Sequence, residues 1–123
     1  MALQFIRESA NDFTITGFEL GAVRVGSSTF EFPISLSHNH AAAAWLAPQP
    51  LDAASIATGA ALDAEIVIIG TGARLVFPAP AALQPLRDAR IGFEVMDSRA
   101  ACRTYNVLLA EGRKAGLLLI VGD

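Results

Sequence analysis

Near the N-terminus, apolar and polar residues alternate with a period of two in three places. Phe13 and Ile15 stand against Thr14 and Thr16, Val23 and Val25 flank Arg24, and Phe30 and Phe32 flank Glu31. Successive side chains of a strand point to opposite faces, so each run predicts a strand that buries one face and exposes the other. Gly26-Ser27-Ser28 predicts a hairpin turn between the last two runs. Pro33 lacks an amide hydrogen and should end pairing or lie on an edge. From Ser37 to Pro50 the alternation dissolves into His38, His40, four alanines, Trp45, Pro48 and Pro50. This stretch reads as a connector with room for a helical turn over Ala41 to Leu46. Asp52 then suits the N-cap of a short helix from Ala53 to about Thr58, stopped by Gly59.

The second half changes period. Glu65 to Gly70 is a continuous β-branched apolar run, the pattern of a strand covered on both faces. Pro78-Ala79-Pro80 opens a helix reaching about Asp88, Ile91 to Met96 reads as a strand, Arg99 to Arg113 as a helix, and Leu117 to Val121 as a last strand. A β-α-β-α-β series with right-handed crossovers makes its strands parallel. The fold class expected is therefore α/β, a single domain over residues 1–123. An N-terminal antiparallel β layer packs with a mixed sheet built by the C-terminal βαβαβ unit and its flanking helices.

Composition sharpens this picture in a few respects. The chain has 123 residues, 53% of them hydrophobic and 17% charged. That excludes a disordered chain and supplies enough apolar surface for one core, with some left over for a homo-oligomer. A net charge of −3 argues against nucleic acid as a partner, because phosphates require a basic surface. No apolar run is long enough for a membrane span. Met1 to Glu8 lacks the basic start and long apolar stretch of a secretory signal, and the single cysteine fits a reducing compartment, so the cytoplasm is the expected location.

Candidate chemistry gathers in the last third. Gly70-Thr71-Gly72 leaves the first parallel strand, where glycine amides can approach an anion, although a tight turn after a buried strand is the favoured account. It lacks the Gly-Lys-Ser/Thr of a phosphate loop, and its helix starts too late for a dinucleotide fingerprint. Ser98 or Asp97 can cap the long helix, and because Asp97 already brings a negative charge to its start, a structural cap is the favoured reading there. In a parallel sheet that helix start lies on the same edge as Gly70-Thr71-Gly72, so the two would form a small pocket for a carboxylate or phosphate.

On the helix, Ala101, Tyr105, Leu108, Leu109 and Gly112 share one face, and Arg99, Arg103, Asn106, Arg113 and Lys114 share the other. The basic stripe is either a solvated face or a dock for an acidic partner or small anion. Cys102 sits between two arginines near the helix start, which could activate a thiol, but no base is placed beside it and a small buried thiol is the expectation. Glu94, in a strand with apolar neighbours, must be exposed at an edge, perturbed in pKa, or paired with Arg99 or Arg103; an ion pair is the expectation. His38 and His40 supply two metal ligands without a third, so no metal and no cofactor are expected. Trp45 reads as a satellite core anchor.

Gly70-Thr71-Gly72-Ala73-Arg74, Ile91 to Ser98, Ala100 to Leu108 and Glu111-Gly112-Arg113 together resemble the Mth-type domain family of small α/β proteins. That family includes a mitochondrial respiratory complex I assembly factor and uncharacterised bacterial proteins. Ser98 departs from the pattern, which often carries threonine there. The resemblance implies one α/β domain, no established catalytic residues, and an assembly role through protein contacts. The function expected is thus a non-enzymatic binding or assembly-factor-like domain. It would use Gly70, Thr71, Gly72, Glu94, Ser98, Arg99, Cys102 and Arg103 to engage a protein or small anion. An enzyme with its pocket between Gly70-Gly72 and Ser98-Cys102, and a self-associating structural unit, are the competing readings.

Overall fold

In the computed structural model, which describes residues 13–122, the alternating N-terminal runs become β1 (Ile15–Glu19), β2 (Ala22–Val25) and β3 (Ser28–Phe30). They form an antiparallel sheet of order β1-β2-β3. The strand begins at Ile15 rather than Phe13 and the third run stops at Phe30. Phe32 thus lies outside any strand and is exposed. Gly26 makes the turn with φ +58°, a backbone that glycine adopts without a Cβ clash. Met1 to Glu8 lies outside the described residues.

β4 (Ile34–Ser37) starts directly after Pro33. The proline lies in no strand, between the end of the first sheet and the start of the second, and its carbonyl accepts the Trp45 amide at 2.9 Å, a bond that needs no N–H from proline. The following connector holds a two-residue strand, β5 (Ala43–Ala44), where a helical turn was expected. Pairing of Ile34 with Ala44 and of Ser35 with Ala43 holds those alanines extended. α1 covers only Ala53–Ile56 and passes into a 3-10 turn over Ala57–Ala61. Gly59 does not stop the helix. It is buried where a Cβ would lie 3.2 Å from Leu86 and 3.4 Å from both Val67 and Leu118.

The remaining elements are β6 (Ile66–Gly70), α2 (Pro80–Asp88), β7 (Gly92–Met96), α3 (Ser98–Ala110) and β8 (Ala115–Leu119). The second sheet has order β5-β4-β8-β6-β7. β6 pairs in parallel with β7 and β8, and β4 runs antiparallel to β8, so the sheet is mixed. α3 ends three residues before the expected Arg113. Gly112 takes φ +78°, and the Arg113 amide returns to the Leu108 carbonyl at 2.9 Å, which closes the helix.

Two hydrophobic layers flank this sheet. On one face Ile34, Leu36, Ile68, Leu117 and Leu119 pack with Ala101, Cys102 and Tyr105 of α3 and with Ile15, Val23 and Val25 of the small sheet. On the other, Val67, Ile69, Leu118 and Ile120 meet Trp45, Ile56, Leu83 and Leu86. Consecutive residues of β6 and β8 serve opposite layers, which is why those strands read as unbroken apolar runs. Trp45 is a core anchor, with its indole Nε1–H donating to the Ser55 carbonyl at 2.8 Å.

Candidate functional site

Helices α2 and α3 leave β6 and β7 onto opposite faces of the sheet. Open α/β sheets bind ligands at the carboxyl ends of strands where such connections diverge. The expected pocket lies there, between Gly70-Thr71-Gly72 and Ser98, and the geometry closes it. The Ser98 amide donates to the Gly72 carbonyl at 2.9 Å, and the Gly72 amide donates back to Ser98 Oγ at 2.7 Å. Ser98 Oγ in turn donates to the Ile120 carbonyl. Ser98 is fully buried. Gly70 exists to let these segments meet, since a Cβ on it would lie 2.7 Å from Leu119 Cδ1 and 3.0 Å from both Ala101 Cβ and Ser98 Cα. The Thr71 amide donates to the Met96 carbonyl at 3.0 Å. The sequence placed Gly70, Thr71, Gly72 and Ser98 side by side, but as a knot of internal bonds rather than a cavity.

The helix cap is Asp97, whose Oδ1 accepts the Ala100 amide at 2.9 Å. A carboxylate there meets the positive end of the helix dipole that an anionic ligand would otherwise meet. Thr71 also organises the following loop. Its hydroxyl donates to the Arg74 carbonyl at 2.7 Å and accepts the Val76 amide at 3.0 Å. That fixes Leu75, Val76 and Phe77 with their side chains exposed. Sequence reading passed over these residues. The available signal was an apolar run of three, between Arg74 and Pro78, too short for a strand.

Glu94 forms no ion pair with Arg99 or Arg103, correcting that expectation. β7 is an edge strand and Glu94 stands exposed on it, where water solvates the charge and no partner is required. The basic stripe is also less free than its spacing suggests. Asn106 is taken by β1: its Oδ1 accepts the Ile15 amide at 2.9 Å and its Nδ2 donates to the Ile15 carbonyl at 2.7 Å, so the side chain stands in for a neighbouring strand. The Arg99 guanidinium lies 5.4 Å from the Phe18 ring centroid. Arg113 pairs with Glu65 at 2.8 Å. Arg103 is exposed.

Cys102 is buried against the small sheet. Burial pushes its thiol up from an ordinary 9.0 to about 12, outweighing the opposing pull of Arg99 and Arg103. A raised thiol is a poor nucleophile at neutral pH. Alkylation of Cys102 by iodoacetamide at pH 7 should therefore be slow in the native protein and speed up on unfolding. The same shift has a stability consequence. The unfolded chain loses this proton near pH 9 and the folded one only near pH 12, so stability should be unaffected by Cys102 below pH 9 and fall between the two. Denaturation midpoints across that range, compared with Cys102→Ala, check it; a native thiol that reacts at the unfolded rate would contradict the burial.

The histidines do not converge. His40 Nδ1 lies 2.8 Å from Asn39 Oδ1 and 3.2 Å from Ser37 Oγ, and His38 Nε2 lies 3.9 Å from Asp63. Among the described residues, no three histidine, cysteine or carboxylate side chains are grouped to hold a metal. No helix among them is long and apolar enough to cross a membrane.

These features define a class: a small α/β domain with a mixed sheet whose carboxyl edge is sealed by its own backbone and one serine. The chain belongs to the family described as "Protein of unknown function (DUF498/DUF598)", whose model matches residues 15–120. Its sequence is 45% identical over 56 residues to NADH dehydrogenase (ubiquinone) 1 alpha subcomplex assembly factor 3 of Mus musculus, spanning 46% of this chain and 30% of that protein. The crystal structure of a Bordetella parapertussis protein superposes with a TM-score of 0.81 at 32% identity, covering 88% of this chain and 94% of the other. The solution structure of a Bordetella pertussis Mth938-like domain gives a TM-score of 0.76 at 29% identity, covering 89% and 87%. The family resemblance and the α/β architecture expected from the sequence are borne out.

Proposed function

We propose that the chain is a non-enzymatic, assembly-factor-like domain that works by contact with another protein, in the bacterial cytoplasm. The observation that carries this reading is the sealed carboxyl edge. The amides of Thr71, Gly72 and Ser98, which would serve a small anion, bond within the chain instead. Cys102 is buried and Glu94 stands on the open edge of β7, which leaves the enzyme reading without a set of converging groups. Half of the chain also resembles a protein named as an assembly factor, and the bacterial neighbours share the fold.

Affinity purification after mild cross-linking in cells tests the proposal. The expected result is a protein recovered repeatedly in near-stoichiometric amount with the chain and not with an unrelated domain of similar charge. Recovery of no partner, together with turnover of a small molecule by the purified protein, would overturn it.

A further inference from the structure

Among the described residues seven large apolar side chains stand exposed, and six of them, Leu20, Phe32, Leu46, Leu75, Val76 and Phe77, gather at one end of the molecule. The strand register puts them there. Gly21, in the β1–β2 turn, donates its amide to the Val121 carbonyl just past β8, which carries Leu20 to the carboxyl end of that strand. Ile34 pairs with both Leu119 and Ala44, so Phe32 before it and Leu46 beyond it reach the same end. Gly70 also pairs with Leu119, and the loop folded over Thr71 carries Leu75, Val76 and Phe77 from there. The seventh, Val107, lies along α3. The opposite end is polar: Arg113 pairs with Glu65, and Asn39 donates to Asp63. Single exposed apolar residues are ordinary, but their collection on one end marks an interaction surface.

Charge selects the occupant. This end carries Glu19, Glu31, Asp52 and Asp97 against Arg74, Arg99 and Arg87, whose guanidinium reaches back to the start of α2, four carboxylates to three guanidiniums. Arg99 lies against the Phe18 carbonyl and ring, Arg87 lies over the Phe93 ring while donating to the Pro80 carbonyl, and neither lines the cleft beside Leu46. That open cleft of about 730 Å³ is lined by Trp45, Leu46, Pro48, Ala54 and Thr58, and Asp52 is its one charged lining residue among the described residues. A carboxylate in the cleft and a slight acidic excess around it disfavour a second copy of the same surface and an anionic lipid surface, and attract lysine and arginine. We propose that this end docks an amphipathic protein segment, apolar on one side and basic beside it. Its apolar side chains meet Leu75–Phe77 and the Trp45 cleft while a cation faces Asp52. The inference rests on the protein-binding reading above and names the surface and the chemistry of its partner.

The test is an NMR titration with a short helical peptide of leucine and lysine and with its leucine–glutamate counterpart. Amide shifts should concentrate at Leu20, Phe32, Leu46 and Leu75–Phe77, and the glutamate peptide should bind roughly tenfold more weakly or worse. Phe77→Ser combined with Leu75→Ser should weaken the lysine peptide by roughly tenfold while the thermal midpoint holds. Leu46→Ser, in a separate loop, should do the same in part, and Arg103→Glu on α3 should not weaken it. Equal binding of both peptides overturns the proposal, as do shifts confined to α3. So does a dimer, seen by light scattering, that the serine substitutions dissolve, or a preference for phosphatidylglycerol vesicles over the peptide. A partner recovered from cells equally well by the Leu75→Ser, Phe77→Ser chain removes this surface but leaves protein binding intact. Failure to recover any partner with the unaltered chain removes the protein-binding reading itself.

Discussion

Ser98→Ala is expected to lower the stability of this domain by about 2–5 kcal/mol, because each buried polar group left unpaired costs roughly 1–3 kcal/mol. The hydroxyl accepts the Gly72 amide and donates to the Ile120 carbonyl. Gly72, Ser98 and Ile120 are all buried, so no bulk water stands ready to replace it. A single oxygen therefore joins the end of β6, the start of α3 and the chain leaving β8. Urea denaturation should show a lower midpoint with an unchanged slope. Ser98→Thr keeps the hydroxyl and should cost much less than alanine. A loss below about 1 kcal/mol for alanine would mean that an ordered water takes the place of the oxygen, and a threonine variant as weak as alanine would mean that the site has no space for a methyl group.

Gly70→Ala should be nearly as damaging, costing about 1–3 kcal/mol through overpacking. The added Cβ would meet Leu119 Cδ1 at 2.7 Å, which a rotamer change could relieve, but also Ser98 Cα and Ala101 Cβ at 3.0 Å, which are fixed to the first turn of α3. The helix must move away from the sheet, and the Ser98 bonds to Gly72 would lengthen as it does. The two substitutions share one structural element, so their costs should not add. The double variant should be less destabilised than the sum, and additivity would show that the glycine and the serine act independently. Gly21, where a Cβ meets nothing within 4 Å but φ is +99°, offers a contrast in which backbone strain alone sets the cost.

The resemblance between expectation and structure is uneven in an instructive way. α2 was legible to its last residue because proline opens it, and Pro85 inside it removes one amide donor without ending it. β6 and β8 were legible as buried parallel strands because continuous β-branched and leucine runs suit a sheet covered on both sides. By contrast, Ala43–Ala44 became a strand only through its partner Ile34. Two alanines carry no strand signal of their own, and tertiary pairing overrode their helical preference. Asn106 was placed on a solvated face by its spacing along α3. It proved to bond that helix to β1 because the small sheet folds back onto the same side of the large one. No local pattern encodes a contact made across ninety-one positions of sequence separation.

The candidate site shows the same division. Gly70, Thr71, Gly72 and Ser98 were correctly gathered at one edge, since the topology of a parallel βαβ unit dictates that neighbourhood. Whether those groups face a ligand or each other depends on distances of a few tenths of an ångström, which spacing along the chain does not carry. The ion pair expected for Glu94 failed for a related reason. Sequence order placed two arginines within reach, but β7 lies at the sheet edge, where a carboxylate is stable in water alone.

By itself, then, the sequence determined the class of fold, the parallel unit and the identity of the residues at its carboxyl edge. These follow from periodicity, from chain chirality and from the restricted backbones of glycine and proline, all of which are local or topological. The tertiary structure alone decided that the edge is sealed, that the small sheet is what covers the buried Cys102 expected from the sequence, and that four separate loops bring their apolar side chains to one end. Those outcomes depend on strand register and on the packing of segments remote in sequence, where each contact is set by the whole fold.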